Sequence, residues 1–186
     1  MGLNKPLSYR KLENKGDVHI KKGINIIFLD IDGVLNCKQT LERCGPYIGI
    51  EDQKIELLKE LVERTKAYIV LTSSWKQFWH YSSIDKCRQD DLANYLDEAF
   101  KRHLIKVTAK THEFNPFKRG EGIINYLNFI KGNQIMVNNY VIFDDLMFDY
   151  RQMKLLDHLI KTNSEYGLQK SHITKAISLL RTKTLK

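Results

Sequence analysis

Three apolar runs in this chain each end directly in a polar residue fit for chemistry. Asn25 to Leu29 runs into Asp30, Tyr68 to Leu71 into Thr72, and Tyr140 to Phe143 into Asp144. Short runs rich in β-branched and aromatic residues read as buried strands. Between them the apolar period changes. Ile55, Leu58, Leu61 and Val62 recur at helical spacing and predict a helix from Asp52 to about Thr65. Leu92, Tyr95, Leu96 and Phe100 mark a second helix. A third starts near Arg119, with Ile123, Ile124, Leu127 and Ile130 on its apolar face, and stops at Lys131-Gly132-Asn133. The last runs from about Ser171, with Ile173, Ile177 and Leu180 inward. Strands alternating with helices predict an α/β fold: a doubly wound, mainly parallel sheet with helices on both faces. Chemistry in such sheets collects at the carboxyl ends of the strands. Asp30, Thr72 and Asp144 all fall there.

The remaining segments are less periodic. Ile105 to Thr108 suits a short strand. Trp75, Phe78 and Trp79 suit a helix or turn packed on the core. Asn36 to Glu51, with Gly45, Pro46 and Gly49, reads as loop. Leu155, Leu156, Leu159 and Ile160 fit a helix or a mixed segment. Residues 1–23 read as a basic extension, and 24–186 as one domain with a small helical insertion near 76–110.

The formal charge of +8 favours polyanionic partners. Part of the excess lies in the first 23 residues, where Lys5, Arg10, Lys11, Lys15, Lys21 and Lys22 outweigh Glu13 and Asp17. No stretch approaches the roughly 18 apolar residues of a membrane span, and the start has no secretory-leader pattern. Cys37, Cys44 and Cys87 fit no zinc spacing and cannot all pair, which suggests free thiols in a reducing, cytoplasmic setting. The six histidines show no metal-binding helix signature.

Asp30 and Asp32 sit one residue apart at the end of the first strand, followed by Gly33. On extended backbone they project to the same side. Two such carboxylates repel unless a cation or a proton intervenes. The run Asp30-Ile31-Asp32-Gly33-Val34-Leu35-Asn36 resembles the first motif of the haloacid dehalogenase (HAD) superfamily of phosphohydrolases. Leu71-Thr72-Ser73-Ser74-Trp75 resembles the second motif, and the basic pair Lys118-Arg119 before a helix the third. Ile142-Phe143-Asp144-Asp145 resembles the fourth. Taken with Trp75-Lys76, Arg119-Gly120-Glu121 and the late Gly167-Leu168, they are most similar to the HAD domain of Swiss-army-knife RNA-repair proteins. That branch commonly has arginine where this chain has Lys76.

The resemblance implies a HAD-like Rossmannoid fold with a minimal cap and a Mg²⁺-dependent phosphomonoester hydrolase. It makes Asp30 the nucleophile and Asp32 the general acid/base, with the backbone carbonyl of residue 32 a metal ligand. Gly33 lets the chain turn away. Thr72 and Ser73 contact the phosphoryl group, and Lys76 adds positive charge for substrate. Lys118 or Arg119 supplies the motif-three cation, and the sequence does not choose between them. Of the last acids, Asp145 is favoured as the metal ligand and Asp144 as the partner of that cation. Asp149 reads as an exposed turn residue, with a supporting place behind the metal ligands as the alternative. A nucleotide or a nucleic-acid terminal phosphate suits the basic charge and an open site. A small phosphorylated metabolite, or a nucleic-acid-binding module with a retired site, are the alternatives.

Overall fold

The computed structural model describes residues 23–77, 79–80, 90–113 and 115–182. The basic segment 1–22, Phe78 and Cys87 therefore lie outside the described residues.

Five parallel strands form the central sheet. They are β1 (Ile24–Leu29), β4 (Tyr68–Leu71), β5 (Val107–Lys110), β6 (Val137–Asp144) and β7 (Leu159–Lys161), in the spatial order β5-β4-β1-β6-β7. Among the described residues four helices accompany it: α1 (Asp52–Thr65), α2 (Asp91–Arg102), α3 (Arg119–Gly132) and α4 (Lys170–Arg181). No described helix is long and apolar enough to cross a membrane.

Strand alternation explains the layering. Ile27, Leu29, Ile69, Leu71, Val141 and Phe143 point to one face, where they pack with Leu58 and Leu61 of α1, Leu96 and Phe100 of α2, and Ile173 and Ile177 of α4. Ile26, Phe28, Val70 and Ile142 point to the other, against Ile123 and Ile130 of α3 and against Tyr150 and Leu155. Each fully buried side chain of this size contributes about 1.5–3 kcal/mol. Helix α2 belongs to this layering: it packs into the main core within the connection from β4 to β5.

The structure refines two segments of the sequence reading. The stretch 36–51 contains a short antiparallel pair, β2 (Arg43–Cys44) and β3 (Tyr47–Ile48), closed around Gly45, whose φ of +57° suits glycine. Of the two readings offered for Leu155 to Ile160, a helix or a mixed segment, the structure has the mixed one. A 3₁₀ turn over Leu156–His158 leads into edge strand β7. Leu155, Leu159 and Ile160 are buried all the same, so the apolar pattern recorded burial and not period.

Sheet register aligns the strand ends. Phe28 pairs with both Val70 and Ile142, and Leu29 with both Leu71 and Phe143. One step further, the Thr72 amide donates to the Leu29 carbonyl at 2.8 Å and the Asp30 amide to the Phe143 carbonyl at 3.0 Å. Asp30, Thr72 and Asp144 thus share the level of the sheet edge and, by alternation, the face that α3 covers.

Candidate active site

Arg119 is the first residue of α3, and its guanidinium enters the site from that face. Its Nη1 lies 2.6 Å from an Asp30 carboxylate oxygen and 2.8 Å from Asp144 Oδ2. The guanidinium carbon sits 4.3 Å above the Phe148 ring centre, a cation–π contact. Burial works against the charge, but Asp30 and Asp144 outweigh it and hold the arginine protonated more firmly than usual. Both ion pairs run through Nη1. Lys118 faces solvent and pairs with Glu121. The structure thus brings Arg119, not Lys118, to Asp30.

Asp144 is fully buried. Its Oδ2 also accepts from the Tyr150 hydroxyl at 2.7 Å and its Oδ1 from the Leu146 amide at 2.9 Å. Asp145 is half-buried and pairs with no cation among the described residues. Oxygens of Asp30, Asp144 and Asp145 lie within 4.8 Å of one another. Burial, then the charge of Asp30, pushes the Asp144 carboxyl up to about 6; the same two causes raise Asp145. Three hard oxygen donors crowded in this way could hold a small divalent cation.

Gly33 makes this cluster possible. Its φ is +68°, and a Cβ there would lie 2.3 Å from the Asp145 carboxylate. Asp32 is exposed yet held: Asn36 Nδ2 donates to its Oδ1 and Trp75 Nε1 to its Oδ2, both at 2.9 Å.

Thr72 is 1% exposed, and its hydroxyl has no hydrogen-bond partner among the described residues. An unpaired buried hydroxyl is costly. It lines a cavity of about 390 Å³ together with Arg119, Lys76 and Glu113. Ser73 is buried, and its hydroxyl accepts from the Trp75 amide at 3.3 Å, so that group caps the turn. Lys76 lines the same cavity and is bound closely within the protein. Its ammonium donates to the Thr72 carbonyl at 3.2 Å, to the Thr111 hydroxyl at 2.9 Å and to Glu113. An ammonium has three donors, and all three are engaged within the protein.

Asp149 is no exposed turn residue. It is half-buried and accepts from the Gly120 amide at 2.6 Å and the Glu121 amide at 3.0 Å. Lys118, at the cap position of α3, offers no side-chain bond, so Asp149 caps the helix from a distance. Asp149→Ala is expected to cost about 1 kcal/mol of stability, as lost caps do. It should also lower kcat by roughly tenfold as the turn carrying Arg119 loosens. Thermal melts and steady-state kinetics check the two effects separately.

Sequence alone does not assign Trp75, Asn36, Glu113 or Asp149 to the site. Asn36 and Trp75 lie inside the first and second motifs. Glu113 carries no local signal.

Among comparisons with known proteins, no curated protein and no solved structure matches the chain. A family model does, over residues 26–173, and that span includes every residue of the candidate site. Its description is the HAD domain in Swiss Army Knife RNA repair proteins, and this chain belongs to that family.

Proposed function

We propose that this protein is a Mg²⁺-dependent phosphomonoester hydrolase with Asp30 as nucleophile, acting on a nucleotide or a nucleic-acid terminal phosphate. The observation that carries this reading is the buried Thr72 hydroxyl, without a hydrogen-bond partner among the described residues, in the cavity that Arg119 shares as it pairs with Asp30. A phosphoryl group in that space meets an attacking carboxylate, a hydroxyl donor and a guanidinium. Phosphoryl transfer needs those groups for attack and for charge stabilisation.

Each residue then has a task. Asp30 attacks phosphorus, and the bond to the leaving oxygen breaks as the new one forms. Asp32, steadied by Trp75 and Asn36, gives a proton to that oxygen. The acyl-phosphate is opened by water, whose proton Asp32 takes back. Arg119 and Thr72 bear on the phosphoryl oxygens throughout. Asp30, Asp145 and the backbone carbonyl of Asp32 would hold Mg²⁺, with Asp144 keyed to Arg119. The ion would screen the approach of a carboxylate to a phosphate dianion.

The substrate class is tested by salt. On an oligonucleotide, lysines and arginines outside the site contact neighbouring phosphates. About three such contacts predict roughly a twentyfold loss of affinity for a single strand between about 50 and 200 mM salt. A small aryl phosphate should lose far less. Deleting residues 1–22 should flatten the salt response if those six basic residues take part. Equal loss on both substrates, or no oligonucleotide binding at low salt, would favour a small-metabolite phosphatase.

A further inference from the structure

Lys76 and Glu113 form a buried ion pair beside the acid cluster. Their side chains are 13% and 5% exposed. Lys76 follows β4 by five residues and Glu113 follows β5 by three, so the pair clamps two adjacent strand ends. It also reaches a third element. The second oxygen of Glu113 is buried without a hydrogen-bond partner among the described residues and packs on Gly122, where a Cβ would lie 2.5 Å away. Gly122 belongs to the first turn of α3, which Arg119 begins. The Lys76 backbone is held in turn: Lys110 Nζ donates to its carbonyl at 2.9 Å and to that of Trp79 at 2.5 Å.

Buried ion pairs are poor sources of stability, because desolvation roughly cancels their attraction. This one has no donor left for substrate. What it does fix is position: the Thr72 carbonyl directly, and the start of the Arg119 helix through Glu113. We infer that Glu113 and Lys76 are positioning residues, which set the Thr72 hydroxyl and the Arg119 guanidinium at the separation that a phosphoryl group requires. That role rests on the phosphatase reading of the site.

Position and stability can be separated by experiment. Replacing both partners, Lys76→Met with Glu113→Met, removes both charges at nearly constant volume, and such replacements are commonly neutral for folding. The double variant is expected to melt near the wild type, to lose about 100-fold in kcat on an aryl phosphate, and to bind inorganic phosphate more weakly by calorimetry in Mg²⁺. The Mg²⁺ concentration for half-maximal activity should not move, because the pair touches none of the clustered carboxylates. Glu113→Asp is the second arm. It keeps both charges but shortens the reach by one methylene, and kcat should fall while the melting temperature holds. Lys76→Arg should retain more activity than Lys76→Met. Wild-type kcat and phosphate affinity in either the double variant or Glu113→Asp would overturn the inference. A wild-type protein that hydrolyses no phosphomonoester would count against the phosphatase reading instead, and phosphate affinity would still decide the role of the pair.

Discussion

Asp30→Asn is expected to abolish turnover and to leave the fold in place. The substitution is nearly isosteric, and the amide cannot form an acyl-phosphate, so kcat should fall by at least about 10⁴-fold, into the range seen when a nucleophile is removed. Arg119 keeps its contact with Asp144, so no buried charge is stranded. The variant also carries a titration signature. Asp144 is held up to about 6 by burial and by the charge of Asp30, so the folded state binds that proton more tightly than the unfolded chain does. The metal-free wild type should therefore lose stability as pH rises from about 4 through about 6, where the folded state gives up that proton. In Asp30→Asn one of the two causes is gone, and this loss should shrink. Melting curves across that pH range measure it. Near-normal hydrolysis by Asp30→Asn would rule out the covalent route.

Removing divalent metal is expected to have the other large effect. After exhaustive chelation, activity should drop to background and return with Mg²⁺ or Mn²⁺. Ca²⁺ should restore little, since it prefers more ligands at longer distances and would misplace the attacking carboxylate. Mg²⁺ should also raise the melting temperature, because an ion that binds only the folded state relieves the crowding of Asp30, Asp144 and Asp145. At a hundred times its dissociation constant the gain is about 2.7 kcal/mol, or roughly 5–10 °C for a domain of this size. Asp145→Asn should weaken that thermal response while leaving the Arg119–Asp144 pair intact. Full activity after chelation would sink the metal assignment.

The sequence made much of this site legible because its reacting groups sit at the ends of buried strands. A strand announces itself through its own apolar residues, and the next position is then placed without knowing anything else. That reasoning reaches Asp30, Thr72, Asp144 and Asp145. It fails for groups whose meaning lies in a partner far along the chain. Asp32 and Trp75 are 43 positions apart, and Asp149 caps a turn 29 positions upstream. Glu113 sits past a short strand with no pattern around it, and only the packing of three elements reveals that it faces Lys76. Lys76 shows the same limit: its charge was visible in the sequence, but its three acceptors were not. Lys118 and Arg119 are chemically alike in sequence, and helical geometry alone turns one to solvent and the other inward.

The shared level of Asp30, Thr72 and Asp144 has a consequence for how such a chain can change over time. Their alignment is counted out by the strands, from Ile26 opposite Tyr68 and Tyr140 up to Leu29 opposite Leu71 and Phe143. One residue added to or removed from β1, β4 or β6 would displace its terminal group by about 3.3 Å and turn it to the opposite face of the sheet. Length variation in this lineage should therefore be confined to the crossovers, such as the stretch between Gln77 and Val107. Insertions there leave unchanged how many residues separate the core from the chemistry.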